Sequence, residues 1–329
     1  MHYTTLGSSD LRVSTVALGC WPFAGGAVWG EQDDDVSVAT AHAALDAGIT
    51  LFDTAEGYEA GHSERVLGRA LAGRRDKAVI ATKVSPNHLS PAGIAEACEQ
   101  SLRNLQTDYI DLYQIHWPNH DLPLSDSVEA LEKLKREGKV LAIGVSNFGI
   151  QDLSEMLTLG ECVTNQMPFN LLWRGIEDEV LPLCVENGVG ILSYSTVAQG
   201  LLTGRYASAE EVPDGLSRTR LFSNKRPMAT HSDPGCEQEV FSALDRVRQV
   251  AGEMGVSMAA VSIAWVKQQP GVTAVLVGAR TPQELEKNLA DQDTILSQDV
   301  LAELTIATDP VKECLGGNLD MWMTPSRMR

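Results

Sequence analysis

Eight short apolar runs, separated by stretches of helical periodicity, constrain the fold of this chain more than any other feature. They lie at 15–19, 50–54, 78–83, 109–116, 140–146, 162–166, 189–195 and 272–278. Taken together they are rich in Val, Ile and Leu rather than strictly alternating with polar residues, the pattern of strands covered on both faces. The segments between them read as helices. Asp33-Asp34-Asp35 places acid at one helix start, Val36, Ala39, Ala43 and Ala47 follow at helical spacing, and Gly48 stops it. Over 125–137, Val128, Leu131 and Leu134 face inward, Lys135-Arg136 stand in the last turn and Gly138 follows. Pro91, Pro282 and Pro310 fall where helices begin or break. Strand–helix alternation of this kind predicts an α/β fold with a parallel sheet. Eight units with no shift of composition predict a closed (β/α)8 TIM barrel, and 329 residues hold one such barrel with insertions, hence a single domain over 1–329.

Four segments add to the bare barrel. Residues 4–13 read as an N-terminal β-hairpin turning on Ser8-Ser9-Asp10. The connection 204–235 is polar and rich in Pro, Ser and Arg, and its length marks a functional loop or lid. Residues 297–308 read as an extra C-terminal helix, and 311–329 as an irregular tail.

Charge narrows the partners. With 26 basic against 44 acidic residues the formal net charge is −18, which repels nucleic-acid phosphates and anionic membrane surfaces. None of the six cysteines forms a C-x-x-C pair, as expected of reduced thiols. A polar opening and the lack of any long apolar run point to a cytoplasmic protein. Oligomeric state is left open.

In a barrel of this kind chemistry gathers at the C-terminal strand ends. Here the runs close on Asp53 (with Tyr58 five residues on), Lys83, His116, Ser146-Asn147, Asn165-Gln166, Tyr194-Ser195 and Gly278. Four titratable groups of complementary type at successive strand ends suggest proton transfer to a carbonyl oxygen. Tyr58 is a weak acid, a nearby Lys83 would lower its pKa, Asp53 would hold Lys83 charged, and His116 would orient the carbonyl. At the eighth strand, Gly278-Ala279-Arg280 leads into Thr281-Pro282-Gln283-Glu284, an N-cap, a proline at the first helical position and a capping-box acid. A helix N-terminus preceded by small residues and an Arg is suited to a dinucleotide phosphate.

These pieces resemble the aldo-keto reductase family along the whole chain: LFDTAEGYEAGHSERVLGRAL (51–71), ATKV (81–84), SLRNLQTDYIDLYQIHWP (101–118), GKVLAIGVSNF (138–148), TNQMPFNLL (164–172), SYSTVAQGLLTGRY (193–206) and VGARTPQELEKN (277–288). The resemblance implies a catalytic tetrad of Asp53, Tyr58, Lys83 and His116. It implies that Ser146, Asn147 and Gln166 hold a nicotinamide carboxamide and that Tyr194 stacks on the ring. Ser195, Gly200 and Leu201 would line the pyrophosphate, while Gly278, Arg280, Glu284 and Asn288 would meet the adenosine end. The sequence departs from the family in having Thr196-Val197 where Pro-Leu is usual. Arg280 would attract a 2′-phosphate and Glu284 would repel one unless turned back to cap its helix. That balance favours NADP(H) over NAD(H).

The function implied is hydride transfer between a nicotinamide cofactor and a small-molecule carbonyl or alcohol, with Tyr58 as general acid/base. Trp21, Phe23, Trp29 and Trp117 would share a substrate wall with loop packing. A cofactor-binding regulatory subunit or sensor is the alternative, and the intact tetrad argues against it. A metal hydrolase using His62, His116 and His120 is disfavoured by the proline in His116-Trp-Pro-Asn-His120 and by the central Lys83, so no metal is expected.

Overall fold

The computed structural model describes residues 1–329. Strands β1 (Tyr3–Thr5) and β2 (Arg12–Ser14) form the expected antiparallel hairpin. The eight apolar runs form β3 (Val16–Gly19), β4 (Leu51–Asp53), β5 (Val79–Val84), β6 (Ile110–Ile115), β7 (Val140–Ser146), β8 (Thr164–Pro168), β9 (Gly190–Tyr194) and β10 (Val272–Gly278). They close into one parallel barrel in the order β10-β3-β4-β5-β6-β7-β8-β9. The helices are α1 (Gly26–Trp29), α2 (Asp34–Asp46), α3 (His62–Leu71), α4 (Pro91–Leu105), α5 (Leu124–Arg136), α6 (Ile150–Leu159), α7 (Val180–Glu186), α8 (Glu237–Met254), α9 (Met258–Lys267), α10 (Pro282–Leu289) and α11 (Gln298–Leu315). No single helix is long and apolar enough to cross a membrane.

Local chemistry explains the helix starts. The Asp33 carboxylate accepts from Asp35 N and Val36 N, and Ser90, Ser257, Thr281 and Ser297 cap α4, α9, α10 and α11 in the same way.

Two apolar layers divide the barrel. Inside it, Ala17, Leu51, Ala81, Leu112, Ala142 and Leu192 pack on Leu6 and Val13 of the hairpin. The hairpin therefore plugs the N-terminal mouth. Gly7 sits there with φ +54°, and a Cβ on it would lie 1.8 Å from Val163 O, so no other residue fits. Outside, the larger core fills the space between strands and helices.

The C-terminal end corrects one expectation. The extra helix does not end at 308 but runs through Pro310 to Leu315, and the irregular tail starts at Gly316. Proline removes only the bond to the Ile306 carbonyl, and Ile306 is 69% exposed, on the face where water can serve that carbonyl. Leu304, Thr308 and Val311 keep the opposite face buried.

The long connection is tied down. Arg220 donates to Leu315 O (2.8 Å) and Asn318 O (2.8 Å) and pairs with Asp233. The tail returns across the barrel mouth until Arg329 O accepts from Gln151 N (2.9 Å) and Asp152 N (3.2 Å) in the first turn of α6. All six cysteines are free.

Candidate active site

Strand periodicity puts the polar residues in one place. Side chains alternate faces, so a residue two steps beyond an inward apolar one also points inward. Leu51 leads to Asp53, Ala81 to Lys83, Leu112 by way of Gln114 to His116, Ala142 by way of Gly144 to Ser146, and Leu192 to Tyr194. The apolar floor thus gives way to a polar layer at the C-terminal mouth.

The four expected catalytic residues meet there. Lys83 is fully buried, and its Nζ donates to Asp53 Oδ1 (2.7 Å), to Thr54 O (2.8 Å) and to the Tyr58 hydroxyl (3.4 Å). Gln166 Nε2 donates to the other Asp53 oxygen at 2.7 Å. The His116 ring lies 5.8 Å from the Tyr58 ring, edge-on at 80°. Its backbone is held by Val84 O (2.9 Å) and by Asn147 Nδ2, which donates to His116 O (2.9 Å).

Electrostatics follow from burial. Desolvation works against the Lys83 charge, but Asp53 and Tyr58 outweigh it, and the ammonium is held above its ordinary range. Burial raises the Tyr58 pKa, with Lys83 pulling it down and Asp53 pushing it up. This corrects the expectation that Lys83 would leave the phenol below its usual value: in a dry site desolvation of the phenolate is the larger effect. Tyr58 is consequently a protonated donor at neutral pH. For His116, burial, then Lys83, then Arg327 lower the pKa to about 3. The imidazole is neutral above that value, so a kcat/KM profile from pH 5 to 9 should show no step belonging to it. An inflection near pH 6.5 that disappears in His116→Gln would contradict this. The same depression has a stability sign: as pH falls from the ordinary histidine range toward 3, the unfolded chain takes up a proton the folded one refuses, and stability declines.

The expected cofactor residues fall into two groups. Ser146, Asn147, Gln166 and Tyr194 join the tetrad. Tyr194 OH donates to Asn147 Oδ1 (2.8 Å), and Asn147 Nδ2 also reaches Ser146 Oγ (3.0 Å). After β9 the backbone takes left-handed conformations at Ser195 (φ 52°), Ala198 (47°), Gln199 (54°) and Gly200 (96°). Within this strained turn Ala198 N donates to Ser195 O (2.7 Å) and Gly200 N to Val197 O (2.9 Å). Leu201 is buried beneath it. The departure at Thr196 has a structural answer: its hydroxyl lies within donating reach of Ser193 O (3.1 Å) and Leu276 O (3.2 Å), where the end of β9 meets β10.

Gly278, Arg280, Glu284 and Asn288 stand apart from the tetrad, at the rim. A cavity of about 280 Å³ is lined there by Gln32, Asp33, Val36, Arg280, Thr281 and Glu284. Glu284 is turned back, its carboxylate accepting from Arg280 N (2.8 Å). Arg280 Nε donates to Gln32 Oε1 (2.9 Å), and its Nη2 donates to Glu31 O. Asn288 Nδ2 donates to Gly278 O at 3.2 Å. The turn after β9, the half-buried Tyr194 ring and this rim fit an extended dinucleotide. Such a cofactor would supply or accept the hydride.

Of the expected aromatic wall, Phe23 is fully buried packing. Trp21 stacks on Tyr58 (5.8 Å, 23°) and meets Trp29 edge-on (5.4 Å). The Arg327 guanidinium lies 3.5 Å from the Trp117 ring centroid. His62 pairs with Asp34 and His120 with Asp152, so neither joins His116. Sequence reasoning missed Gln32, Arg218, Asp320, Trp322 and Arg327. They lie on irregular connections, where no spacing signals a position.

A family model described as the aldo/keto reductase family matches residues 15–309. The chain is 36% identical over 301 residues to aldo-keto reductase YhdN of Bacillus subtilis, covering 87% of each. It is 32% identical over 320 residues to the NADH-specific methylglyoxal reductase of Escherichia coli, covering 90% of this chain and 95% of the relative. A crystal structure of an aldo-keto reductase from Klebsiella pneumoniae in complex with NADPH superposes with a TM-score of 0.76 at 32% identity, covering 98% of this chain and all of the other.

Proposed function

The chain belongs to the aldo/keto reductase family, and we propose that Asp53, Tyr58, Lys83 and His116 are its catalytic residues. The protein is an NAD(P)H-dependent oxidoreductase that transfers hydride between a nicotinamide cofactor and a small carbonyl or alcohol substrate. The observation that carries the residue assignment is Lys83 Nζ within reach of both Asp53 (2.7 Å) and the Tyr58 hydroxyl (3.4 Å).

In the reductive direction Tyr58 gives its proton to the carbonyl oxygen as that oxygen becomes an alkoxide, and Lys83 stabilises the phenolate left behind. In oxidation the phenolate takes the proton back. Neutral His116 donates a hydrogen bond that orients the carbonyl. Asp53, held by Gln166, keeps Lys83 charged and in place. Residues 1–329 act as one catalytic domain, since hairpin, long connection and tail all pack on the same barrel. The test is loss of reduced-nicotinamide absorbance against aryl and aliphatic aldehydes, methylglyoxal and aldoses. No turnover with any member, with cofactor binding intact, would favour a sensor over a working catalyst.

NADP(H) is the preferred cofactor in this reading. Arg280 precedes the N-terminus of α10, and the Glu284 carboxylate, although it lines the rim cavity, is engaged by the Arg280 backbone N–H. The Klebsiella pneumoniae structure with NADPH supports it, while the Escherichia coli relative named NADH-specific shows that the family scaffold also serves NADH. A 2′-phosphate would form a charge-assisted pair with the Arg280 guanidinium, whose Nε and Nη2 are bonded to Gln32 and Glu31 O and whose Nη1 is free. Arg280→Ala should therefore weaken NADPH binding by roughly tenfold or more and NADH by about twofold at most, measured by fluorescence titration. Equal weakening would remove Arg280 from phosphate recognition.

A further inference from the structure

We propose that Arg218 selects carbonyl substrates bearing an oxyanion, a carboxylate or phosphate, a short distance from the reacting carbon. The proposal rests on the reading of Tyr58 as the proton donor.

Arg218 lies in the connection between β9 and α8, outside the tetrad and the cofactor rim. Its guanidinium carbon is 4.5 Å from the Trp322 ring centroid and 5.8 Å from that of Trp21. Trp21 in turn stacks on Tyr58 at 5.8 Å. The cation and the proton donor thus flank the same indole, and the aromatic faces between them offer an apolar wall to a carbon chain.

Arg218 has no counter-ion, a lack it shares among the partly buried arginines only with Arg280 at the cofactor rim, whose guanidinium is bonded to Gln32 and Glu31 O. The one hydrogen bond of Arg218 is from Nε to Gly215 O (3.1 Å), and no carboxylate lies within ion-pair distance. The guanidiniums of Arg75, Arg174, Arg220, Arg226 and Arg327 each have one. Arg327, also near the mouth, is forked onto buried Asp320 and hence neutralised. Scarcity of acid does not explain the gap, since the chain has 44 carboxylates to 26 cations. Burial holds the Arg218 pKa below its ordinary value with no opposing partner, the mark of a desolvated charge left uncompensated. A guanidinium fork matches a carboxylate or phosphate in two parallel bonds. A single cation at the mouth would also offset, locally, the repulsion that a net charge of −18 exerts on anionic substrates.

The test compares matched pairs with the full-length protein: succinic semialdehyde with butanal, 4-carboxybenzaldehyde with benzaldehyde, and glyceraldehyde 3-phosphate with glyceraldehyde. In the wild type the anionic member of at least one pair should have the higher kcat/KM, and which pair responds separates carboxylate from phosphate. Arg218→Gln should lower that anionic-to-neutral ratio by roughly ten- to a hundredfold, mostly through KM. Arg218→Lys, which keeps the charge and loses the fork, should fall between, and turnover of the neutral member reports that each variant is folded. A wild-type ratio at or below one in every pair, or a ratio unmoved by Arg218→Gln, overturns the proposal. The latter outcome would leave Arg218 as a clamp between Trp21 and Trp322. Absence of turnover with every compound would overturn the reductase reading and this proposal together.

Discussion

Tyr58→Phe should lower kcat for carbonyl reduction by about three orders of magnitude while changing cofactor affinity by less than about twofold. The substitution deletes one hydroxyl. It leaves the ring, its stack on Trp21 and its edge contact with His116 in place. The Lys83 ammonium keeps its bonds to Asp53 and the Thr54 carbonyl, so the site does not collapse. What is lost is the hydroxyl assigned to give its proton as the alkoxide forms. Single-turnover kinetics with bound reduced nicotinamide would measure the chemical step, and titration of cofactor fluorescence the binding. Turnover within tenfold of wild type would transfer the proton-donor role to another group, and the mechanism above would fall with it.

Lys83→Met should cost both activity and stability. Asp53 is 3% exposed, and without Lys83 its carboxylate keeps only the Gln166 amide. Stranding a buried charge in this way costs about 3–5 kcal/mol, which lowers Tm by on the order of 10 °C in a chain of this size. Activity should fall at least as far as in Tyr58→Phe, because the phenolate loses its stabilising cation. Pairing the change with Asp53→Asn should recover most of the stability, as both members of the ion pair are then neutral, but none of the activity. Calorimetry and the same single-turnover assay would check the two halves. A Lys83→Met protein that melts like the wild type would mean that the Asp53 charge is not held by this pair.

The tetrad was legible in the sequence for a physical reason. Buried parallel strands are nearly uniform in Val, Ile and Leu, so a Lys or His at the end of a run stands out against its neighbours. Each strand also has a fixed period, so the residue closing a run follows the same inward face as the apolar residue two steps before it. Lys83 after Ala81 and Asp53 after Leu51 are of this kind. Helix starts were legible as well, since Thr281-Pro282 and Pro91 act within a few residues of themselves. The helix through Pro310 was not, because a proline well inside a helical stretch reads as a stop. Only packing shows that the freed carbonyl faces water. The sign of the Tyr58 shift was also out of reach: proximity to Lys83 follows from strand order, but the competing desolvation depends on how completely the barrel excludes water.

The amino-acid sequence by itself determined the barrel, its eight strands, the hairpin and the residues at the strand ends, because those depend on short-range periodicity repeated along the chain. Only the tertiary structure decided what stands over the mouth. Arg218, Arg327 and Trp322 lie on irregular segments whose conformation is set by distant partners, Arg220 on the Leu315 and Asn318 carbonyls and Arg329 on α6. A side chain on such a segment has no periodicity to announce where it points. Arg327 is compensated by Asp320 only seven positions away, but where that pair and the open charge of Arg218 come to stand depends on ties between residues about a hundred positions or more apart, such as Arg220 with Asn318 and Arg329 with Asp152.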